Sequence, residues 1–266
     1  MRLVVTGAAG MLGQDVVRAA GDDALGLSRA ELDVTDPVAV HEALAGADVV
    51  INCAAWTNVD GAEEHPEEAL AVNREGARNV AEAAPRALYV SSDYVFDGRK
   101  RTPYLESDPT APLSSYGRSK LSGELATVEA NPRHFIVRSS WLFGAGGPNF
   151  VKTMLRLGAE RDELRVVNDQ VGSPTFTGHL AEALVELART DDYGIHHLAG
   201  AGHCSWYEFA REIFERSGVD CHVEPCTTDE YPLPASRPAW SVLGSERGRS
   251  LPPWQEGLDA YLGVRA

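Results

Sequence analysis

Three residues in the middle of the chain, Ser92, Tyr116 and Lys120, are of the types that together move a proton to or from a carbonyl oxygen. Tyr116 and Lys120 are four positions apart, so they share one face of a helix. An ammonium group beside a phenol favours the phenolate and is expected to lower a pKa that is about 10 when unperturbed. The phenol can then exchange a proton with a substrate near neutral pH, while the Ser92 hydroxyl binds the same oxygen.

A glycine-rich turn near the N-terminus predicts a site for a dinucleotide. Gly7, Gly10 and Gly13 follow the first predicted strand and open the first predicted helix. Glycine permits a tight turn and a close approach of the backbone to a pyrophosphate, whose charge is favoured at a helix N-terminus. We therefore expect Gly7, Gly10, Met11 and Leu12 to contact a cofactor. The alternative is a turn that only caps the helix.

The end of the second predicted strand should bind the adenosine half of this cofactor. An acidic residue normally stands there and holds the ribose 2′-hydroxyl. This chain has Ser28 and Arg29 instead, which suit a 2′-phosphate and favour NADPH over NADH, although a solvent-exposed loop arginine explains the sequence almost as well. Asp33 and Val34 are placed to line the adenine, and Asp33 is equally a residue that forms turns.

Residues after the later strands are candidates for ligand contacts, because open α/β sheets bind ligands outside the carboxyl ends of their strands. Ala54 and Ala55 are small enough for the cofactor to lie against the backbone, or they simply pack beneath a helix. Trp141 offers an apolar wall for a sugar ring or base, unless it is a core residue. Arg237, in a proline-rich loop, is a candidate ligand of a nucleotide phosphate. The other candidates on the substrate side are Thr57, Val59, Asp93 and Tyr94.

Composition narrows the class of protein. The chain has 266 residues and a formal net charge of −15, so its overall field does not attract nucleic acid. No apolar run approaches the roughly 18 residues of a membrane span, and the N-terminus leads into a strand without an apolar leader, so we expect a cytoplasmic protein without membrane partners. The four cysteines lack the spacing of metal ligands, and no metal site is predicted. The chain has only three lysines, which makes Lys120 more informative.

Strands and helices alternate through the first half of the chain, and the strands are almost continuously apolar. This pattern predicts an α/β fold of Rossmann type, with a doubly wound parallel sheet covered on both faces. After Trp141 the pattern becomes irregular, which predicts a smaller C-terminal substrate lobe. We assign residues 1–145 to a dinucleotide-binding domain with a return segment over 178–200, and residues 146–177 and 201–266 to the substrate lobe.

Several longer stretches carry a family resemblance. They are residues 5–13, 52–60, 72–73, 91–98, 116–120, 138–144, 149–154, 169–175, 206–209 and the loop at Arg237. With these stretches the chain resembles the extended short-chain dehydrogenase/reductases, and within them the reductases of nucleotide-linked 4-ketosugars. The tyrosine-lysine pair belongs to the whole superfamily, whereas Ser-Asp-Tyr-Val-Phe at 92–96 and Arg-Ser-Ser-Trp at 138–141 are narrower signals. The resemblance covers essentially the whole chain.

The resemblance implies a reduction. A hydride would pass from NADPH, or from NADH as the alternative, to the C4 ketone of a dTDP-4-keto-6-deoxyhexose, as in the step from dTDP-4-dehydrorhamnose to dTDP-L-rhamnose. Tyr116 would protonate the forming alkoxide, and Lys120 would hold the nicotinamide ribose and poise Tyr116. Ser92, where the family commonly has threonine, would bind the reacting oxygen. The residues that would border the sugar are Thr57, Val59 and Trp141.

Two other functions remain open at this point. The same fold includes a regulatory subunit of methionine adenosyltransferase, which binds NADP and a partner protein without turnover, although intact Ser92, Tyr116 and Lys120 argue against it. The other is a reductase of a different nucleotide 4-ketosugar.

Some relatives also carry an acidic residue two positions after the third glycine, in a magnesium-bearing dimer interface. Asp15 stands there in this chain, and a homodimer is a candidate assembly.

Overall fold

The computed structural model describes residues 1–264, in which short strands and helices alternate. The strands are β1 (Leu3–Thr6), β2 (Ala24–Leu27), β3 (Val49–Asn52), β4 (Ala87–Ser92), β5 (His134–Ser139), β6 (Leu142–Phe143), β7 (Glu163–Val167), β8 (Val171–Gly172), β9 (Thr175–Phe176), β10 (Gly194–His197), β11 (Gly200–Ala201), β12 (Cys204–Ser205), β13 (His222–Cys226) and β14 (Leu251–Pro253). The helices are α1 (Met11–Ala20), α2 (Pro37–Ala43), α3 (Gly61–Glu64), α4 (Pro66–Leu70), α5 (Gly76–Ala83), α6 (Ser115–Ala130), α7 (Phe150–Glu160), α8 (Thr177–Ala188), α9 (Trp206–Ser217) and α10 (Trp254–Val264). Shorter turns are the 3₁₀ turns Gly21–Asp23 and Asp93–Val95 and the π turn Ala71–Glu75.

The centre of the molecule is a six-stranded sheet with the order β10-β5-β4-β3-β1-β2. Every neighbouring pair in it is parallel. All residues of β1, β3 and β4 are buried. A parallel sheet covered on both faces has no solvent side, which explains why these strands are apolar at nearly every position. The predicted Rossmann-type, doubly wound parallel sheet is confirmed.

Helices close a hydrophobic core on each face of this sheet. On one face α1 and α8 pack together over the middle strands, with Val16, Leu180 and Leu184 among the fully buried side chains. On the other face α2 and α5 enclose a second core that includes Val40 and Val80. The carboxyl ends of β1, β3, β4 and β5 therefore lie side by side at one edge, flanked by both helical layers.

The C-terminal elements build a core of their own from aromatic side chains. Helices α7, α9 and α10 enclose it with the parallel pair β7–β13. Phe143, from the stretch before residue 146, is fully buried in this same core. The two parts thus share packing at their junction, and the boundary at 145/146 stays a prediction of the sequence. Residues 265–266 of the predicted lobe lie outside the described residues.

Helix starts follow the signals in the sequence. Asp36 accepts hydrogen bonds from the backbone at the start of α2, and Ser205 forms a reciprocal capping box with Glu208 at the start of α9. The long helix predicted over Pro66–Ala84 is instead α4, the π turn and α5 in succession. Helices α3 and α10 and the strand pair β7–β13 were not predicted. Across residues 1–264, no helix combines the length and apolar content needed to cross a membrane.

Candidate active site

The glycine turn has the close packing that its spacing predicts. Gly7 has φ +68°, and a Cβ there would lie 2.6 Å from the Ala54 backbone nitrogen. A Cβ on Gly13 would lie only 2.2 Å from the Gly7 carbonyl oxygen. Gly10 begins α1 with an extended backbone and no side-chain cap. The first amide groups of α1 therefore have no side-chain cap and can bind an anionic ligand, beside a turn packed too tightly for larger residues.

Met11 and Leu12, the two residues after Gly10, differ in what they can contribute to a cofactor site. Met11 is partly buried, and its Cβ lies 3.2 Å from the position that a Cβ on Gly147 would occupy. Its sulfur accepts a hydrogen bond from the Asn149 side chain. Leu12 is buried in the core beneath the sheet face, so its contribution to a cofactor site is its backbone rather than its side chain.

At the end of β2, Ser28 is engaged by a residue of its own loop. Its backbone N–H and its hydroxyl both donate to Glu31 Oε2, at 2.8 and 2.7 Å. These bonds hold the pKa of Glu31 below its usual value. Arg29 is exposed and, within residues 1–264, forms no ion pair or hydrogen bond. The arginine predicted for a 2′-phosphate is thus available to solvent, whereas the serine predicted beside it is not free.

The two predicted adenine contacts, Asp33 and Val34, differ in their exposure. Asp33 is exposed, and its Oδ1 accepts hydrogen bonds from the backbone and hydroxyl of Thr35, which lower its pKa. The turn-forming role that the sequence left open is therefore present. Val34 is buried, and a Cβ on Gly76 would lie 2.6 Å from it. Its side chain packs on α5, and its carbonyl accepts from Asn79.

A buried asparagine, whose role the sequence did not indicate, fixes the loop after β3. Asn73 is fully buried in the π turn and bonds both the N–H and the carbonyl of Trp56 through its side chain. The same side chain donates to Ser119 on α6 at 2.8 Å. Its own carbonyl accepts from the Tyr89 hydroxyl. A π turn is a frequent mark of a functional site, but it is not visible as a periodicity in the sequence.

Ser92 ends β4 next to a buried carboxyl group. Its hydroxyl donates to Asp93 Oδ1 at 3.0 Å and accepts from the Tyr94 backbone N–H. Burial raises the pKa of Asp93 to about 6, although the hydroxyls of Ser241 and Ser92 act to lower it. The other carboxyl oxygen, Oδ2, is buried without a hydrogen bond of good geometry in the described part of the chain.

Tyr116 lies in the first turn of α6, beside Ser92 and Tyr94. The rings of Tyr116 and Tyr94 meet edge to face with centroids 5.6 Å apart. Burial raises the pKa of Tyr116 to about 12; the Ser92 hydroxyl lowers it and the Asp93 carboxylate raises it further. The expectation of a lowered phenol pKa is wrong, because the loss of hydration outweighs the hydrogen bond with Ser92.

Lys120 lies one helical turn further along α6, with its ammonium bound to the neighbouring strand. The ammonium donates to the Val90 carbonyl at 2.7 Å and lies 4.2 Å from the centroid of the Tyr89 ring. Burial lowers the pKa of Lys120 to about 7, while Glu124 and Cys53 act to raise it. The ammonium is thus held by β4 rather than placed against the Tyr116 oxygen.

A buried ion pair lies behind Lys120. Arg138 on β5 donates through Nε and a terminal nitrogen to the two oxygens of Glu124, at 2.9 and 2.7 Å. Both side chains are almost fully buried. The Ser91 hydroxyl donates to the same carboxylate. The narrow Arg-Ser-Ser-Trp signal in the sequence therefore contains a structural arginine that supports the catalytic helix from beneath.

Trp141 occupies a constrained position between two neighbours. It is the single non-glycine residue with positive φ, +48°, among residues 1–264. One face of its indole stacks on Trp206 with centroids 3.4 Å apart and an interplanar angle of 3°. A Cβ on Gly172 would lie 2.4–2.7 Å from three adjacent indole atoms, which places the Gly172 backbone over the other face. A sugar could reach only the edge of this ring, and Phe143 is a core residue.

The remaining substrate-side candidates lie on the loop after β3. Thr57 is exposed and Val59 is half-buried. The next residue, Asp60, binds Arg237 through both carboxylate oxygens, at 3.1 and 2.7 Å. The guanidinium predicted to meet a phosphate is therefore already engaged with a carboxylate, a partner that sequence reasoning missed.

Asp15 does not present itself as a metal ligand. Its carboxylate is buried, and it accepts from the Thr177 hydroxyl and pairs with Arg18. The bond from Thr177 joins α1 to α8 inside the chain, and the Arg18 pair lies within α1. In the described range 1–264 there is no group of three or more His, Cys, Asp or Glu side chains arranged to hold a metal ion.

Comparison with known proteins gives one consistent result. The family model described as the RmlD substrate binding domain matches residues 1–265. The chain is 44% identical to the dTDP-4-dehydrorhamnose reductase of Mycolicibacterium smegmatis, over 99% of this chain and 86% of that protein. It is 42% identical to a probable dTDP-4,6-dihydroxy-2-methyloxan-3-one 4-ketoreductase of Streptomyces antibioticus, over 97% of this chain and 93% of that protein.

A solved structure from the same group of reductases has the fold of this chain. The dTDP-4-dehydrorhamnose reductase of Bacillus anthracis, crystallised in complex with NADP, superposes with a TM-score of 0.96 at 38% identity, covering 100% of this chain and 99% of that one. The resemblance inferred from the motifs is confirmed. This chain belongs to the RmlD family, the family of the dTDP-4-dehydrorhamnose reductases.

Proposed function

We propose that the protein reduces the C4 ketone of dTDP-4-dehydrorhamnose with NADPH and forms dTDP-L-rhamnose. The observation that carries the proposal is the placement of Ser92, Tyr116 and Lys120 at the edge of the sheet where the glycine turn also lies. The membership of a reductase family supports it, as does the NADP complex of the Bacillus anthracis relative. The tight turn at Gly7 and Gly13, where a Cβ would collide with neighbouring backbone atoms, fits the turn that a dinucleotide site requires.

The cofactor, when bound, supplies the hydride, and the chain's own residues handle the oxygen and the proton. The Ser92 hydroxyl binds the carbonyl oxygen of the substrate. The phenol of Tyr116 donates its proton to that oxygen as the alcohol forms. Because the pKa of Tyr116 is raised to about 12, the phenol is protonated and ready to donate over the whole neutral range.

Lys120 is proposed to hold the nicotinamide ribose. To do so, its ammonium exchanges the Val90 carbonyl, which it contacts now, for ribose hydroxyls at the same edge. Burial lowers the pKa of Lys120 to about 7, and ribose hydroxyls that accept from the ammonium would favour its charged form. The residues proposed to contact the cofactor are Gly7, Gly10, Met11, Leu12, Ser28, Arg29, Asp33, Val34, Ala54, Ala55, Tyr116 and Lys120.

The sugar is proposed to lie between the loop after β3 and the strand ends of β4 and β5. Trp141 offers its edge, since both of its faces are covered. The remaining residues proposed to line this space are Thr57, Val59, Asp93 and Tyr94. Arg237, already paired with Asp60, is not among them. We also propose a cytoplasmic location and a homodimer.

A reductase of another nucleotide 4-ketosugar is the second candidate. The 42% identity to the Streptomyces antibioticus ketoreductase favours it, because that protein's name describes a different ketosugar. The third hypothesis, a regulatory subunit without turnover, has no support from the two relatives reported above, which are both named as reductases.

The experiment that tests the proposal follows both cofactor and product. The protein is incubated with NADPH and dTDP-4-keto-6-deoxyglucose, with and without the epimerase that makes dTDP-4-dehydrorhamnose, and the product is identified by NMR. We expect NADPH oxidation only when the epimerase is present, with dTDP-L-rhamnose as the product. Equal turnover without the epimerase would favour the second candidate, and cofactor binding without any turnover would contradict both.

A further inference from the structure

The Asp60–Arg237 pair joins two segments that are 177 residues apart in the chain. Arg237 uses both terminal nitrogens on Asp60, and one of them also donates to the Ala235 carbonyl at 2.9 Å. Asp60 in turn accepts from the Ala235 backbone N–H at 3.0 Å. The Arg237 side chain is 15% exposed and that of Asp60 33% exposed. Such a fork with a carboxylate fixes both position and orientation.

The segment that carries Arg237 also rests on the loop after the catalytic strand. A Cβ on Gly98 would lie 2.6 Å from the Pro238 Cα, so the two backbones are in direct contact there. The Val171 carbonyl accepts from the Ser241 N–H, and the Val171 N–H donates to the Ala239 carbonyl. The contacts of the segment therefore extend toward the C-terminal lobe. The proline-rich segment thus covers the loops that follow β3 and β4.

Helix α3 connects the proline-rich segment to the start of α6, the helix that carries Tyr116. Asp60 precedes α3, and Glu63 lies within it. The two oxygens of Glu63 accept from the backbone N–H and the hydroxyl of Ser115, both at 2.7 Å. Ser115 is the residue directly before Tyr116. Asp60 is therefore linked through one turn of helix and Glu63 to the backbone that carries the phenol.

A second route passes through Tyr94. Burial raises the pKa of Tyr94; of the two charges of the pair, that of Arg237 lowers this pKa and that of Asp60 raises it. The Tyr94 ring packs edge to face on Tyr116. The ion pair thus lies close to the packing partner of the catalytic phenol as well as to its backbone support.

The pair is poorly suited to bind a diphosphate directly. Arg237 would have to give up its bonds to Asp60, and the carboxylate would then face the phosphates as a like charge. As it stands, the pair is close to neutral, so it offers a diphosphate little net attraction. Its geometry is that of a structural clamp.

We propose that Arg237 is a positioning residue: the Asp60–Arg237 pair clamps the proline-rich segment over the substrate site and, through Glu63 and Ser115, fixes the place of Tyr116. This inference rests on the proposed reduction, for which Tyr116 is the proton donor. It assigns Asp60 and Glu63 the same task, although neither reaches the reacting atoms.

The test is a double-mutant cycle with kcat, KM and dTDP affinity as separate readouts. Asp60→Asn and Arg237→Ala are each expected to lower kcat by roughly 10- to 100-fold, and the double variant by no more than either single variant. The dissociation constant for dTDP should change less than about threefold. If Arg237→Ala weakens dTDP binding more than tenfold while Asp60→Asn leaves kcat intact, Arg237 is a phosphate ligand and the proposal is overturned.

Conservative variants separate the two roles again. Arg237→Lys keeps the charge but loses the fork, so it should not restore kcat if the clamp on Asp60 is what matters. Restored activity with lysine would point to a phosphate contact. Glu63→Gln should lower kcat without adding to the effect of Asp60→Asn. Arg247→Gln, which breaks a half-exposed pair with Asp192 away from the site, serves as the matched control and should keep wild-type rates.

One readout does not depend on turnover. Hydrogen-deuterium exchange of a peptide covering residues 114–118 should be faster in Asp60→Asn and Arg237→Ala than in the wild type, and unchanged in Arg247→Gln. Unchanged exchange in all variants overturns the proposed link to Tyr116, whatever the substrate is. If exchange rises as expected but wild-type protein reduces no nucleotide ketosugar, the clamp stands and the proposed function fails.

Discussion

The end of β4 and the end of β2 carry the two halves of the predicted site, and they are built in opposite ways. After β4, Ser92, Asp93 and Lys120 are almost fully buried, and Tyr116 is half-buried with its ring against Tyr94. After β2, by contrast, the polar side chains are largely exposed and satisfy one another, Ser28 with Glu31 and Asp33 with Thr35. The exposed residue without such a bond is Arg29, within the part of the chain that the structure describes.

The difference shows where the fold buries titratable groups, at a cost in stability, because the proposed reaction uses them. Burial shifts the pKa of Asp93 up to about 6 and that of Lys120 down to about 7, so both groups are held against their preference for water. At the end of β2 the pKa values of Glu31 and Asp33 are lowered by local hydrogen bonds, which is the usual condition of a surface carboxylate. Substitutions should therefore affect catalysis and stability at the first site, and cofactor choice at the second.

The largest effect is expected at the catalytic edge from Tyr116→Phe. The variant keeps the ring packing on Tyr94 but removes the donated proton, so kcat should fall by roughly 10²–10⁴. NADPH affinity, measured by fluorescence titration, should stay close to that of the wild type. A Phe variant with wild-type turnover would falsify the role of the phenol.

The next effect concerns Asp93 and depends on pH. Its folded-state pKa is raised from 3.8 to about 6, so the folded protein holds this proton more tightly than the unfolded chain does. The contribution of the protonated Asp93 carboxyl group to the stability of the fold is fully present below about pH 4 and is lost as the pH rises through about 6. Asp93→Asn should therefore stabilise the protein by about 2–3 kcal/mol at pH 8 and by much less at pH 4.

Thermal unfolding at the two pH values checks this prediction, with kcat measured in parallel. Activity should fall, because a neutral amide accepts the Ser92 hydroxyl more weakly than the carboxylate does and so positions it less firmly for the substrate oxygen. A gain in stability together with a loss of activity is the expected pattern for a buried functional charge. If the variant gains less stability over the wild type at pH 8 than at pH 4, the Asp93 carboxyl does not have a raised pKa in the folded protein.

A smaller and more selective effect is expected at the end of β2. Arg29→Ala should weaken NADPH binding by about 1.5–3 kcal/mol, the contribution of a charge-assisted hydrogen bond, and leave NADH binding nearly unchanged. Isothermal titration with both cofactors measures the difference. Arg161→Ala, at another exposed arginine, is the control and should alter neither. Equal losses for both cofactors would make Arg29 a residue without a role in the choice.

The smallest effect is expected for Asp33→Asn. The amide can still accept from Thr35, and the site is exposed, so the free energy of unfolding should change by no more than about 0.5 kcal/mol. Urea denaturation gives this value. A loss as large as that expected from a buried group would mean that the end of β2 is not as self-contained as its hydrogen bonds indicate.

The parts of the site that the sequence predicted are those defined over short distances. The glycine spacing specifies a turn, because Gly7 and Gly13 meet within that turn, and a four-residue spacing places Tyr116 and Lys120 on one helix face. The alternation of apolar strands with helices was likewise enough for the parallel sheet. Such features depend on backbone geometry that repeats locally.

The parts that the sequence did not predict depend on contacts between distant segments. Asn73 reaches Trp56 and Ser119, 17 and 46 positions away, from a π turn that breaks the helical period. Trp206 covers Trp141 from the start of α9, and no periodicity links the two. The pKa of Tyr116 was misjudged because a shared helix face does not specify where the Lys120 ammonium points, and it points to Val90.

The scarcity of lysine has a practical consequence for chemical labelling. Of the three lysines, Lys100 is tied to Asp108 and Lys152 to the Ala145 carbonyl, so few amines compete for a reagent. Lys120, with its pKa lowered to about 7, is largely the neutral and nucleophilic amine at mildly alkaline pH, yet it is sealed from solvent. The rate at which a small acylating reagent modifies Lys120 therefore reports how often its surroundings admit solvent, and a ligand bound over Lys120 would slow the reaction.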